Sequence, residues 1–371
     1  MKTVAHCISP YLQMAGPWVY EQLRRSARYR PVVLTQDALN REHYPIAPLY
    51  AAEAFPWAKR LANRLWRKAT NSYAFYQSIL RSENAALIHA HFGYEACRLL
   101  RAKRDVGLPL LTTFYGADAT EYPRYPRWRA RYLELFAEGD LFLAEGSAMA
   151  QKLVDIGCPQ EKVRVWRLGV DVERIAFAPR VPRAQVRFLI CAGFKEKKGI
   201  PYALRALALA HERKAFSYAL TLIGDGEDRG QIEALVDELG LRSRASFRGM
   251  LPYAQVLGEL SRHDILLQTS ITAHNGDGEG GAPVILLDAQ ASGMPVVGTR
   301  HGDIPEYIRD GESGLLAAER DVEGLAERIG ALVDAPEGWA AMGRAGRCHV
   351  EDRYGAAQQV AELESIYDAL V

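Results

Sequence analysis

The chain has 371 residues, 49% hydrophobic and 25% charged, a length that exceeds one ordinary core and fits two domains, with a balance that excludes wholesale disorder. No run approaches the ~20 continuous apolar residues of a membrane-spanning helix, and five scattered cysteines without any Cys-x-x-Cys argue against a disulfide framework or structural zinc site and suit a reducing cytosol. The net charge of +1 argues against a polyanion binder, but residues 1–180 hold 26 Lys+Arg and 17 Asp+Glu, which makes that half +9 and the remainder −8, so the halves differ in electrostatics and partners.

The N-terminus lacks a basic start, apolar stretch and small-residue cleavage site, so no signal peptide is expected. Val4–Ser9 reads as a strand, Trp18–Tyr29 as a helix and Pro31–Thr35 as a second strand. Residues 57–80 read as one helix with Trp57, Leu61, Leu65 and Trp66 on one side. Ala86–His91, Pro109–Thr113 and Leu141–Ala144 read as strands, and Tyr94–Arg104, Arg129–Glu138 and Ser147–Ile156 as helices. The same alternation restarts at Arg187. Its strands are Phe188–Ala192, Tyr218–Ile223, Ala245–Arg248, Ile265–Gln268 and Pro295–Thr299; its helices are Ile200–Glu212, Arg229–Leu239, Tyr253–Arg262 and Pro283–Ala291. Asp321–Ala335 and Val350–Leu370 close the chain as helices. Alternating strands and helices predict an α/β protein with two doubly wound parallel sheets. Gly107-Leu108-Pro109 and Gly293-Met294-Pro295 punctuate the two halves alike, a Gly ending a helix and a Pro opening a buried strand. The joint is expected near residues 176–186, among Pro179 and Pro182. Ligands of such sheets bind beyond the strand carboxyl ends, and two facing domains would share one cleft.

The stretch Asp277-Gly278-Glu279-Gly280-Gly281-Ala282-Pro283-Val284-Ile285-Leu286-Leu287-Asp288 carries the most chemistry. Pro283 suits a first helical turn. Gly280 and Gly281 let backbone amides approach a phosphate closely. Glu279 can accept from hydroxyls. Asp288 sits in an apolar helix, where a carboxylate is costly unless paired; vicinal ribose hydroxyls would satisfy it, and so would a neighbouring loop. In Gly193-Phe194-Lys195-Glu196-Lys197-Lys198-Gly199 the glycines permit a tight turn and the lysines offer charge to a diphosphate or to solvent. Gly224-Asp225-Gly226-Glu227 is turn chemistry that would border the same crevice.

In the basic half, His89 and His91 share one face of a strand, open to a metal, to hydrogen bonds or to a polar cleft. No Gly-x-Ser-x-Gly supports nucleophilic hydrolysis, and no Asp-x-Asp offers a carboxylate clamp for a metal–diphosphate. Two basic aromatic segments, residues 57–68 and 124–131, suit an anionic membrane surface or are solvated helices whose aromatics pack inward. No nucleic-acid motif accompanies the charge, so no nucleic-acid partner is expected.

Ile88–Asp118, Leu168-Gly169-Val170-Asp171, Gly193–Gly199, Gly224–Glu227, Phe247-Arg248-Gly249, Glu279–Asp288, Gly293–Val297 and Gly302-Asp303-Ile304-Pro305-Glu306 together resemble the retaining, nucleotide-sugar-dependent glycosyltransferases of family 4. The resemblance implies a GT-B fold of two Rossmann-like domains facing across a cleft. It divides the chain into an acceptor domain at 1–180, a donor domain at 181–349 and a helix at 350–371 that crosses back. It implies transfer from a nucleoside-diphosphate sugar, a co-substrate with no other cofactor and no metal, to a glycan or lipid-linked acceptor. The family's paired acids map onto Glu279 and Asp288, with one extra residue between them and Asp in second place. The diphosphate-binding Arg and Lys map onto Phe194 and Lys198; Phe194 cannot bind phosphate, so Lys195 or another group compensates, or donor affinity is weaker. The family's cleft histidine maps onto Tyr115. Glu279, Lys198 and Tyr115 are therefore the expected catalytic group. Asp288, Lys195, Gly280, Gly281, Ala282, Gly193, Gly224 and Arg248 are expected at the donor, and Gly16, His91 and Asp118 on the acceptor side. The implied location is the cytoplasm, peripheral at the inner membrane face. A nucleotide-sugar epimerase or hydrolase, or a non-catalytic sugar-nucleotide binder, are the alternatives.

Overall fold

The computed structural model describes residues 1–13 and 17–371; Gly16 lies outside that range. The chain divides into two units, Met1–Gly169 with Ala356–Val371, and Val170–Gly355. In the first unit, β1 (Lys2–Cys7), β2 (Tyr29–Thr35), β3 (Leu49–Ala51), β4 (Ala85–His91), β5 (Leu110–Thr113), β6 (Leu141–Ala144) and β7 (Val163–Val165) form a sheet in the order β3-β2-β1-β4-β5-β6-β7. In the second, β8 (Val186–Cys191), β9 (Tyr218–Ile223), β10 (Ala245–Phe247), β11 (Ile265–Gln268), β12 (Val296–Thr299) and β13 (Leu315–Ala317) run β10-β9-β8-β11-β12-β13. Every pairing in both sheets is parallel. The central strands are buried along their whole length, as in β5 and β11, which is why they read as continuous apolar runs flanked by helices.

Both sheets reverse direction of growth at one place: between β1 and β4 in the first, between β8 and β11 in the second. Beyond the carboxyl ends of those strands lies the crevice where doubly wound sheets hold ligands. The shared Gly-x-Pro punctuation is structural in both. Gly107 and Gly293 have φ of 69° and 82°, and the carbonyls of Pro109 and Pro295 each accept from the neighbouring strand, at Ile88 N and Leu266 N, 3.0 Å in both cases.

Three expectations are corrected by packing. The joint lies at Gly169/Val170, not at 180/181. Val170 and Ile175 belong to a core of the second unit. The guanidinium of Arg180, itself buried, donates to the carbonyls of His263 (2.8 Å), Ser292 (2.8 Å) and Leu260 (2.6 Å), so the proline-bearing stretch is pinned rather than loose. The final helix is two helices, Trp339–Tyr354 and Ala356–Asp368. They break at Gly355, where the chain leaves the second unit for the first, so the returning segment begins at 356 rather than 350. The expected helix over 57–80 is also two, Trp57–Thr70 and Tyr76–Ser82, because Asn71 turns left-handed at φ 53° and caps the first.

Candidate active site

In the second unit the loops after β8, β9, β11 and β12 converge on the crevice. After β8 a 3-10 turn, Glu196–Lys198, leads through Gly199 into the helix Ile200–Arg213. Gly199 has φ 60°, and a Cβ there would lie 1.8 Å from the carbonyl oxygen of Thr269, so only glycine lets the β8 and β11 loops touch. The expected helix Pro283–Ala291 is formed over Ile285–Ala291. Pro283 lies just before it, its carbonyl accepting the N–H of Leu286 at 3.0 Å.

Glu279 and Lys198 are brought together. Lys198 Nζ donates to Glu279 Oε2 at 2.7 Å, and Ser270 Oγ donates to Glu279 Oε1 at 2.6 Å. Burial alone would raise the Glu279 carboxyl. The ammonium groups of Lys198 and Lys197 and these hydrogen bonds outweigh it and hold it below the ordinary carboxylate range. Lys197 serves the loop instead, bound to the Asp277 carboxylate at 3.1 Å and to the Gly278 carbonyl at 3.1 Å.

Asp288 has the opposite environment. It is buried, accepts from the hydroxyl of Tyr253 at 2.8 Å, and among the described residues forms no ion pair with Lys or Arg. Burial pushes its carboxyl up to about 7, against the Tyr253 hydrogen bond. Tyr253 was not read from the sequence as part of the site, since an aromatic at the start of a helix carries no mark of its partner.

The other donor-side positions are mixed. Lys195 is exposed at the turn's outer edge, and no ion pair involves it among the described residues. Phe194 is fully buried in the core of the second unit. Gly193 does not act as a turn residue: its Cβ position is open, with Asp225 O at 3.9 Å. Gly224 does, with φ 135° and the Ala192 carbonyl oxygen 1.8 Å from where its Cβ would be. Gly280 has φ 77°, and Gly280, Gly281 and Ala282 are buried in the loop before the helix. Arg248 is exposed and lies 3.5 Å from the buried Glu259 carboxylate.

At the corresponding end of the first sheet, β1 contributes a residue the sequence had not marked. His6 pairs in register with His89. His6, His89 and His91 each offer a nitrogen within 4.8 Å of the others. All three are buried, and burial lowers all three imidazoles, that of His6 to about 3. Hydrogen bonds already occupy them. His6 Nδ1 meets His91 Nε2 at 3.0 Å, and His91 Nδ1 meets the Tyr115 hydroxyl at 2.6 Å. His89 meets Tyr367 and Thr113, both at 2.8 Å. The cluster thus holds two hydrogen-bonded groups, His6–His91–Tyr115 and Tyr367–His89–Thr113, in which both nitrogens of His89 and His91 are engaged.

His91 is buried, and Tyr115, only half-buried, is the member of its group nearer the surface. Asp118 is an anchor: its carboxylate accepts the backbone N–H groups of Gly93 (2.9 Å), Gly116 (2.9 Å) and Tyr115 (3.1 Å).

The two basic aromatic segments also part ways. Trp128 is buried against Tyr122 and Tyr132, so residues 124–131 turn their aromatic inward. The helix Trp57–Thr70 buries only Asn63. Trp57 is 75% exposed, Leu65 59% and Leu61 47%. At four-residue spacing these form one stripe, with Arg60, Arg64, Arg67 and Lys68 beside it. No helix is long and apolar enough to cross a membrane among the described residues.

The family "Glycosyl transferases group 1" matches residues 171–349, and "Glycosyltransferase Family 4" matches residues 19–174. The chain is 33% identical over 288 residues to the putative colanic acid biosynthesis glycosyltransferase WcaL of Escherichia coli K12, covering 76% of this chain and 70% of that protein. It is 32% identical over 286 residues to the amylovoran biosynthesis glycosyltransferase AmsK of Erwinia amylovora, covering 75% and 70%. In fold it is similar to Anabaena Alr3699/HepE, solved in complex with UDP, with a TM-score of 0.77 at 17% identity over the whole of both chains.

Proposed function

This chain belongs to the group 1, family 4 glycosyltransferases with the GT-B fold, and we propose that it transfers a sugar from a nucleoside-diphosphate sugar to a hydroxyl of a lipid-linked or polysaccharide-precursor acceptor, with retention at the anomeric carbon and without a metal. The observation that carries this reading is the pairing of contrasts beyond β8 and β11. One buried carboxylate, Glu279, is neutralised by Lys198 at 2.7 Å, while Asp288 is buried with no ion-pair partner among the described residues. Two ribose hydroxyls would supply Asp288 with the donors it lacks. A diphosphate would draw Lys198 and the exposed Lys195, together with the amides of Gly280–Ala282. That frees Glu279 to accept from a hydroxyl of the donor sugar. The site then works by positioning and by placing fixed positive charge where the leaving diphosphate gathers negative charge. The relatives named for colanic acid and amylovoran biosynthesis support a polysaccharide-type acceptor, and the neighbour solved with UDP supports a nucleotide donor.

Incubation of the protein with a panel of radiolabelled nucleotide sugars and membrane extracts tests the reaction. Label is expected in a glycolipid or glycan with the donor's anomeric configuration, at a rate unchanged by a chelator. Inversion in the product, or loss of activity on chelation, would remove those two elements.

The exposed Trp57-Leu61-Leu65 stripe, edged by basic residues, supports peripheral contact with an anionic bilayer from the cytoplasmic side. The purified protein is expected to co-sediment with vesicles containing an anionic phospholipid and not with zwitterionic ones. Trp57→Ala with Leu61→Ser should abolish the difference, and equal binding by the variant would sink this assignment.

A further inference from the structure

The backbone of Glu279 is held by a side chain that none of the site residues above includes. Its N–H donates to His301 Nε2 at 3.0 Å. An amide N–H can only donate, so Nε2 must be the unprotonated nitrogen. The proton is then on Nδ1, which faces the Glu319 carboxylate Oε1 at 2.7 Å. The partners, rather than the ring, choose the tautomer. His301 is buried and Glu319 largely so, its side chain 26% exposed. Burial favours the neutral Glu319 carboxyl, but the N–H of Thr272, His301 and Arg320 outweigh it and hold Glu319 below the ordinary range. Glu319 Oε2 accepts the Thr272 N–H at 2.8 Å, so one carboxylate ties the β11 loop at Thr272 and orients the imidazole that ties the same loop at Glu279.

We propose that His301 and Glu319 are positioning residues for the acidic loop, fixing the Glu279 backbone so that its carboxylate meets the donor sugar. The one-residue-longer spacing between Glu279 and Asp288 gives this clamp its purpose. A longer loop has more conformations, and a carboxylate that must act on a transition state loses rate steeply when misplaced by about 1 Å. The geometry of Glu319 makes a sharp prediction. A carboxylate has an acceptor for each of its two donors. An amide has one oxygen, so Glu319→Gln must turn N–H toward either Thr272 N–H or His301. Turned toward His301, it forces the proton to Nε2 and sets two donors against each other at Glu279.

This inference rests on the reading of Glu279 as a donor-sugar contact, and the test separates the two. With the donor found above, His301→Leu and Glu319→Gln are expected to lower kcat about 10- to 100-fold, with donor KM within roughly twofold. His301→Gln, which keeps an acceptor oxygen, should recover most of the loss. In 15N-histidine-labelled protein the His301 proton should reside on Nδ1 and shift in Glu319→Gln. A proton on Nε2 in the native chain overturns the proposal. So does unchanged kcat in His301→Leu while Glu279→Gln is impaired, or a loss shared equally by kcat, KM and thermal midpoint. Unchanged kcat in Glu279→Gln instead removes the underlying reading of Glu279, and the positioning role falls with it.

Discussion

Asp288 is a residue whose cost and use are the same fact. Burial raises its carboxyl to about 7, so protonated and ionised forms compete near neutral pH, and a ribose should select the ionised form. Nucleoside-diphosphate affinity is expected to climb about tenfold between pH 6 and pH 8 through this group. Asp288→Asn should lose that component, leaving only the titration of the nucleotide itself. Calorimetry across pH checks it; identical pH slopes in the two proteins would remove Asp288 from the site. The stability consequence has the opposite direction. The folded carboxyl is raised above its unfolded value, so the native state binds more protons than the unfolded chain from about pH 4 to pH 7. Stability from this group is present at low pH and lost as pH rises through about 7. Asp288→Asn should therefore raise the thermal midpoint at pH 8 while weakening nucleotide binding.

The sequence marked the identity of this acid and of Glu279, because carboxylates amid apolar and glycine residues are chemically conspicuous. It could not mark Tyr253, His301 or Glu319, whose roles depend on partners 35, 22 and 18 positions away. It marked Asp118 and His91 by their polarity, and could not mark the partners that hold them in the fold: backbone amides for Asp118, and His6 and Tyr115 for His91.

At the level of elements, the loops are shaped by a few glycines with no alternative and by others that are replaceable. Gly224 holds φ 135° with a carbonyl oxygen where a Cβ would stand, so Gly224→Ala should cost about 1–3 kcal/mol or more in denaturant unfolding. Gly258, inside the helix Tyr253–Leu260 with nothing within 4 Å of its Cβ position, should gain about 0.5–1 kcal/mol as Ala. Equal effects at the two positions would contradict the loop geometry. Most long strands and helices were legible because burial on both sides imposes runs of apolar residues that periodicity detects, but the helix Trp339–Tyr354 was read only from Val350 onward. The three-residue strands Leu49–Ala51, Val163–Val165 and Leu315–Ala317 were not legible, since three positions show no period and their edges are set by the neighbour they pair with, although the equally short Ala245–Phe247 was read as Ala245–Arg248.

At the level of the whole molecule, the last sixteen residues complete the first unit. Leu363, Ile366 and Tyr367 are buried there. The Glu364 carboxylate accepts from the backbone N–H groups of Ala27 and Arg28, both at 2.8 Å, and from Ser26 at 3.0 Å. The Tyr367 hydroxyl reaches His89. Truncation after Gly355 is expected to lower the first unit's stability sharply, seen as early loss of near-ultraviolet dichroism and rapid proteolysis within residues 1–169. A truncated chain as resistant as the native one would show that the returning helix is dispensable.

The sequence by itself determined that there are two doubly wound sheets, which acids and lysines stand as candidates for the donor site, and that charge is split between the halves, because each of these is written in local composition and period. Tertiary structure alone decided that the joint sits at Gly169, that Lys198 neutralises Glu279 while Asp288 has no ion-pair partner among the described residues, that His6 joins the other two histidines, and that one basic helix exposes Trp57 while the other buries Trp128. These depend on which side chains become neighbours across tens or hundreds of residues. Burial and pairing act on neighbours in space, and a linear pattern records only neighbours in sequence.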